Sequence, residues 1–391
     1  MFEEAILKIL RDEGIDLISH LPCDRAGRLC ALITDGFLHI PLLREEDGVG
    51  ISAGVYLAGG RPAIVIQSSG LGNMLNALLS LQGTFRLPLP IIASWRGVYN
   101  EVIPAQIPFN SRLPAILEGA GIPCATVMER GELPHLQEMI RRSYAEGIPT
   151  VTLISPACFE GGACPAPAFP ERSRNVPPIP GYTIREPQMT RYDAITVIGP
   201  RLGSALCIAN IGVPSKELYA VADRPENFYM LGSYTQASPI GLGLALLTDR
   251  EVVVIDGDGS LLGSAILPVI ASLAPENLTI ICLDNGTFGS TGNQITQGYA
   301  TTDLGQVAEA AGISSVVLVQ TETELVAALS QKGQGTRFIH VIIRPGNSAV
   351  PNIPLSPIEI RDRFMAEMKR CSTNQNRFFD GEFMVSPLYG L

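Results

Sequence analysis

Two short apolar runs, each ending in a glycine turn, constrain this chain more than any other feature. Val252-Val253-Val254-Ile255 leads into Asp256-Gly257-Asp258-Gly259-Ser260, and the run Leu278 to Leu283 leads into Asp284-Asn285-Gly286-Thr287, with Asn285 lying 27 positions after Asp258. Runs this short and this apolar read as strands buried on both faces, the mark of a parallel sheet. Parallel strands deliver both C-terminal turns to one sheet edge, where a carboxylate, a carboxamide and closely approachable glycine backbone meet. Asp-Gly and Asn-Gly are, taken singly, ordinary turn dipeptides. Together they supply hard oxygen donors of the kind octahedral Mg²⁺ takes, beside backbone that a diphosphate can approach.

The same alternation runs through the rest of the chain. Residues 63–66, 89–93 and 149–154 read as strands, with helices over 48–57 and 72–81; a second series places strands over 205–209, 252–255, 279–283 and 338–343 and a helix over 357–368. This implies an α/β protein whose parallel sheets are covered by helices. Between the series, 165–187 carries Pro165-Ala166-Pro167-Ala168-Phe169-Pro170 and Pro177-Pro178-Ile179-Pro180-Gly181, which suit neither a helix nor an inner strand. The expected organisation is an N-terminal domain over 1–164, an extended linker over 165–187, a C-terminal domain over 188–370 and a tail over 371–391 without clear periodicity. With 391 residues, 46% hydrophobic and 17% charged, the chain has material for two full cores.

Charge and cysteines narrow the partners. A net charge of −10 without a Lys/Arg cluster argues against nucleic acid or an anionic membrane, and leaves a small anionic substrate dependent on locally placed cations. The eight cysteines are scattered, with neither Cys-x-x-Cys nor a Cys/His spacing that suits zinc, so free thiols in a reducing compartment are expected. No run of about 18 apolar residues occurs, and Met1-Phe2-Glu3-Glu4-Ala5 starts an amphipathic helix, so the expectation is a cytoplasmic protein.

Arg44-Glu45-Glu46-Asp47-Gly48-Val49-Gly50 opens a helix with three acids in its first turn. Such acids stabilise a helix dipole by about 0.3–1 kcal/mol each and need no further role. For the residues alone that explanation is favoured, and they do not choose among the three acids.

Longer strings carry a resemblance. The segments 44–54 and 59–78, Ser94-Trp95-Arg96-Gly97-Val98-Tyr99 and Pro104-Ala105-Gln106-Ile107-Pro108 resemble the α chain of the sulfopyruvate decarboxylase family, within the thiamine diphosphate-dependent decarboxylases. Residues 210–219, 227–233, 241–246 and Phe288-Gly289-Ser290-Thr291-Gly292-Asn293-Gln294 resemble its β chain, so the chain reads as a fusion of both. The resemblance implies two thiamine diphosphate-binding domains, one for the pyrimidine and one for the diphosphate, with thiamine diphosphate and Mg²⁺ as cofactors. It implies non-oxidative decarboxylation of 3-sulfopyruvate to sulfoacetaldehyde and CO₂ on the route to coenzyme M, in a homo-oligomer with sites between subunits. Phosphonopyruvate or another 2-keto acid is the alternative substrate, and a non-catalytic cofactor-binding protein the alternative class; the 288–294 string favours the sulfonate.

Site residues follow from the same resemblance. The family's catalytic glutamate stands nine residues before a glycine that here is Gly54, which selects Glu45, and the loop after the first strand puts Asp24 beside the substrate. Gln67 and Ser69 are placed for hydrogen bonds to the bound substrate, with Gly70 at the cofactor. Gly232, Ser233, Tyr234, Gly257, Asp258, Gly259, Ser260 and Asn285 are expected at the cofactor, and Mg²⁺ on the side chains of Asp258 and Asn285 and the Thr287 carbonyl. Arg96 and Lys216 are the cations expected at the sulfonate. His20 reads as a surface histidine without an acid–base role. Two departures stand out: Gly232-Ser233-Tyr234-Thr235-Gln236-Ala237-Ser238 replaces the family's Gly-Ser-Met-Gly-x-Ala-Ser, whose Met wedges under the thiazolium, and Pro108-Phe109-Asn110 replaces Pro-Met-Gly.

Overall fold

A computed structural model describes residues 2–21, 23–101, 103–160, 186–289, 294–331 and 335–371. The chain divides into two compact units, Met1–Pro167 and Ala168–Leu391. Of the expected linker, 165–185 lies outside the described residues, as does the tail from 372.

The first unit holds β1 (Leu17–His20), β2 (Leu38–Pro41), β3 (Pro62–Gln67), β4 (Leu89–Ser94), β5 (Cys124–Val127) and β6 (Pro149–Ile154). They form one sheet in the order β2-β1-β3-β4-β6-β5, every pairing parallel. The second unit holds β7 (Leu206–Ala209), β8 (Asn227–Tyr229), β9 (Val252–Gly257), β10 (Leu278–Asp284), the short hairpin β11 (Thr287–Phe288) and β12 (Gln294–Ile295), β13 (Ser315–Val319) and β14 (Arg337–Ile342). Its main sheet is again wholly parallel, in the order β13-β14-β10-β9-β7-β8. Counted within its own unit, each sheet has the order 2-1-3-4-6-5, so two different sequences build one topology.

The inner strands are those whose apolar runs are continuous. Every residue of β4, β6 and β10 is buried, as helices on both faces require. At the sheet borders β2, β5 and β13 are half-buried and mixed in composition, which is why composition alone does not mark them. The expected helix at 48–57 spans Glu45–Leu57 and has only one residue that is not buried, Tyr56. Small residues let it sit this deep: a Cβ at Gly48 would lie 2.7 Å from Leu42 Cδ1. The expected helix at 72–81 begins at Leu71 and passes through a π-helical turn, Leu78–Gly83, and the C-terminal helix runs Pro357–Cys371, packing Phe364 edge-on against Phe228.

This topology fixes where ligands go. Strand order reverses between β1 and β3 and again between β7 and β9, and such a reversal opens a crevice outside the carboxyl ends of the strands. The loop after β1, the Gln67–Gly70 turn, Asn210 and the Gly257–Asp258 turn all stand at those crevices.

The helix Ala237–Ala245 lies against β9, and a Cβ at Gly241 would come within 2.1 Å of Val254 Cγ2. Helix propensity favours alanine over glycine by about 1 kcal/mol, but overpacking a core costs about 1–3 kcal/mol. Gly241→Ala is therefore expected to lower stability by about 1–2 kcal/mol in chemical denaturation, whereas in a Val254→Ala background the same change is expected to be neutral or stabilising.

Candidate functional site

At the carboxyl edge of the second sheet three buried acids lie close together: Asp256, Asp258 and Asp284, exposed by 1%, 2% and 4%. Asp256 accepts hydrogen bonds from Ser238 Oγ (2.7 Å), Ser238 N and its neighbour Gly257 N (2.9 Å), and burial raises its pKa. Asp284 accepts from Gly286 N (2.9 Å) and pairs with His340 Nε2 (2.8 Å). Gly305 N donates to His340 Nδ1, so the proton on this buried imidazole belongs on Nε2, directed at Asp284. Asp258 accepts from Thr296 Oγ1 (2.5 Å), and burial together with the Asp284 charge pushes its pKa up to about 6. Among the described residues no group of three or more His, Cys, Asp and Glu could hold a metal.

The expected magnesium donors are one carboxylate and two neutral oxygens, a set that suits a hard cation. Asn285 and Thr287 are buried in the turn that follows β10, where Asn285 Oδ1 accepts from Thr287 N (3.0 Å). Gly286 makes that turn possible at φ +63°, with Tyr299 so close that a Cβ would lie 2.6 Å from its ring. A cation here would be attracted by Asp258 and Asp284 together, so the residues present fit the metal. They also fit a diphosphate: Gly257 leaves the backbone open at the start of the short helix Asp258–Leu262, and the Asn210 amide, which the sequence reading missed, stands 3.6 Å from where a Gly257 Cβ would be, whereas Gly259 is covered by the Phe288 ring.

The Gly232–Ser233–Tyr234 segment follows β8 on the same edge. Ser233 and Thr235 both have positive φ, +71° and +74°. A residue held there costs on the order of 1–3 kcal/mol, and a β-branched threonine is an outlier. Tyr234 is 42% exposed and its hydroxyl donates to the Gly259 carbonyl. Lys216 is half-buried, in the first turns of the helix Val213–Ala222, and lines a cleft with Gly212, Met230, Leu231, Asn352 and Ile353. Its ammonium has no ion pair among the described residues.

In the first unit the three first-turn acids separate. Glu45 is 5% exposed, its Oε2 accepts from Asn73 Nδ2 (3.0 Å), and its Oε1 lies 2.5 Å from where a Cβ of Gly70 would stand. Glu46 pairs instead with Arg44 (2.6 Å). Gly70 thus brings the turn after β3 directly against the Glu45 carboxylate. Ser69 on that turn donates to Gln106 Oε1 and accepts from Asn110 Nδ2 (2.9 Å), while Ser68 donates to Asn110 Oδ1 (2.5 Å). Asn110, one of the departures from the family pattern, is therefore the centre of a buried network that holds Ser68 and Ser69; Gln67 is half-buried at its rim.

Three expectations need revision or fall away. Arg96 is not an open cation: it is 3% exposed and its Nε and Nη2 grip the two oxygens of Glu101 at 2.8 and 3.1 Å. His20 is not on the surface; it is 5% exposed, lies 3.2 Å from His39 and is pushed down to about 4 by burial, then by His39, so it is neutral. The side chain of Asp24 lies outside the described residues, although its backbone begins the short helix Asp24–Ala26. Cys23, beside it, packs into the apolar core as a small hydrophobe. Cys23, Cys30, Cys124, Cys158, Cys207 and Cys282 form no disulfide, and among the described residues no helix is long and apolar enough to cross a membrane.

Comparison with known proteins agrees with this architecture. The family description "Thiamine pyrophosphate enzyme, N-terminal TPP binding domain" matches residues 1–111, and "Thiamine pyrophosphate enzyme, C-terminal TPP binding domain" matches 211–342. Two such domains on two sheets of one topology define the class, a thiamine pyrophosphate enzyme. A sulfopyruvate decarboxylase of Methanosarcina acetivorans is 46% identical over 93% of this chain and 96% of its own length. A phosphonopyruvate decarboxylase of Streptomyces hygroscopicus is 33% identical over 90% of each. The β subunit of a sulfopyruvate decarboxylase of Methanococcus maripaludis is 42% identical along its full length, which covers 47% of this chain. The crystal structure of benzoylformate decarboxylase from Polynucleobacter necessarius shares the fold, with a TM-score of 0.66 over 89% of this chain and 99% of that one at 15% identity. The chain belongs to the family of sulfopyruvate and phosphonopyruvate decarboxylases.

The Arg96–Glu101 pair gives a test of its own. Glu101 is held at about 2, chiefly by Arg96 and then by the Ile103 and Gly97 amides against the opposing effect of burial, so the stability it contributes is complete above its ordinary 4.5 and is lost as pH falls towards 2. Glu101→Gln leaves Arg96 buried without its partner and is expected to cost about 3–5 kcal/mol near neutrality, and to flatten the pH dependence of unfolding below about 4.5, measured by urea denaturation across that range.

Proposed function

We propose that this chain catalyses the non-oxidative decarboxylation of 3-sulfopyruvate to sulfoacetaldehyde and CO₂, with thiamine diphosphate and Mg²⁺, as a cytoplasmic step of coenzyme M biosynthesis. The observation that carries the reading is the near-full-length similarity to the Methanosarcina sulfopyruvate decarboxylase, which exceeds that to the Streptomyces phosphonopyruvate enzyme.

Thiamine diphosphate, when bound, supplies the electron sink for cleavage of the bond to CO₂. The chain supplies the rest. Asp258, Asn285 and the Thr287 carbonyl hold Mg²⁺, whose binding requires Asp258 to give up the proton that its buried position favours. Gly257, Gly259, Ser260, Gly232 and Ser233 take the diphosphate. Glu45, oriented by Asn73 and shielded by the Gly70 turn, holds a proton at the pyrimidine ring nitrogen. Gln67 and Ser69 orient the keto acid, Asp24 passes the proton that replaces CO₂ on the substrate carbon, and Lys216 neutralises the sulfonate. The domains run over 1–164 and 188–370, and the active protein is a homo-oligomer whose sites draw on more than one chain.

Turnover of 3-sulfopyruvate is expected to exceed that of 3-phosphonopyruvate in side-by-side assays that follow CO₂ release; the reverse order would move the assignment to the phosphonate enzyme. Glu45→Gln is expected to bind the cofactor and lose more than about 10²-fold in turnover, whereas Glu46→Gln stays close to wild type. Dialysis against a chelator should abolish activity, and Mg²⁺ with thiamine diphosphate should restore it. Mixing Glu45→Gln chains with Asp258→Ala chains, after exchange, should regenerate activity if sites are shared.

A further inference from the structure

We propose that Tyr234 is a positioning residue, a hydrogen-bonded tether that holds the Ser233–Thr235 turn against the turns expected to anchor the cofactor. The turn it belongs to needs holding: Ser233 and Thr235 both sit in the left-handed region, at φ +71° and +74°, where neither residue type is at ease. Thr235 is 2% exposed, and its hydroxyl donates to the Tyr234 carbonyl and accepts from Gln236 Nε2 (3.0 Å). Those bonds are local, and none reaches beyond Gln236. The Tyr234 side chain does reach farther. Its hydroxyl donates to the Gly259 carbonyl at 2.5 Å, 25 positions away.

Two glycines shape the place where the phenol lands. A Cβ at Gly263 would lie 2.8 Å from Tyr234 Oη and 2.9 Å from Thr235 Cγ2, so the segment after the diphosphate turn is bare where the tether crosses it. A Cβ at Gly259 would lie 2.5 Å from Phe288, whose ring meets that of Tyr234 at 6.4 Å in an edge-on arrangement. Phe288 directly follows Thr287. Tyr234 therefore joins three segments: the strained turn, the Gly257–Gly263 segment with Asp258, and the Asn285–Phe288 turn with the other magnesium donors. The physical consequence is that the phenol hydroxyl, and not only the bulk of the ring, sets the spacing between the cofactor-anchoring loops. The part of the inference that concerns cofactor rests on the thiamine diphosphate reading above; the part that concerns the turn does not.

The test uses the full-length protein and Tyr234→Phe, which removes the hydroxyl and keeps the ring, with Tyr234→Phe/Thr235→Gly as its partner. Amide hydrogen exchange on the protein without added cofactor is expected to quicken several-fold in 232–236 and 257–263 in Tyr234→Phe. The dissociation constant for thiamine diphosphate in saturating Mg²⁺, measured by calorimetry, is expected to rise about three- to tenfold, the range for one hydrogen bond. Glycine adopts φ +74° freely, so the double variant is expected to regain at least half of the lost affinity on a logarithmic scale. Unchanged exchange in Tyr234→Phe overturns the tether. Faster exchange with unchanged affinity retains the tether and overturns its control of the cofactor loops. Should wild type fail to bind thiamine diphosphate, the cofactor reading falls while the exchange result still decides the tether.

Discussion

Three carboxylates share one dry sheet edge, and the loops around them are arranged to answer that fact. A buried carboxylate is tolerated only with hydrogen bonds, a counter-charge or a proton. Asp256 takes the first solution, from Ser238 and the Gly257 amide, and becomes part of the scaffold beneath the glycine turn. Asp284 takes a hydrogen bond from the His340 imidazole, plus the amide of Gly286. Asp258 takes the Thr296 hydroxyl and backbone amides at the helix start, yet burial and the Asp284 charge still raise its pKa to about 6. A cation beside Asp258 would offset the charge that burial and Asp284 disfavour there.

The first unit meets a similar problem with different means. Glu45 is buried at the start of a helix that is itself buried, and it is oriented by one amide and a glycine turn. The turn is stabilised in depth by the Asn110 network, and beyond it by the Arg96–Glu101 pair, whose backbone amide at Arg96 donates to Ser68 Oγ at 2.8 Å. A residue that looked like a substrate cation is thus part of the support for Ser68 and Ser69.

Backbone strain gathers in the turn after β8, where Ser233 and Thr235 both have positive φ. Thr235 occupies a conformation suited to glycine, and the adjacent Tyr234 brings a phenol whose hydroxyl donates to the Gly259 carbonyl. The two residues are adjacent, and the phenol supplies a bond to a turn that the threonine strains. Local rules are broken here in a pair, as expected at a site where backbone position matters more than local preference.

The sequence by itself determined the inner strands other than β1, the two turns after β9 and β10 and the parallel α/β class, because a strand buried on both faces must be continuously apolar and a turn at its end must use the residues it has. It did not mark the short strands β1 and β8 or the half-exposed border strands β2, β5 and β13, and so the shared 2-1-3-4-6-5 order of the two sheets was invisible. Tertiary structure alone decided that Glu45 and Glu46 face different partners, that Arg96 is already neutralised by Glu101, that His20 is buried and neutral, and that His340, from a strand far along the chain, steadies Asp284. Each of these depends on which side chain meets which across segments distant in sequence. Desolvation then sets charge and pKa at those meetings, and neither burial nor a partner can be read from residue type and spacing.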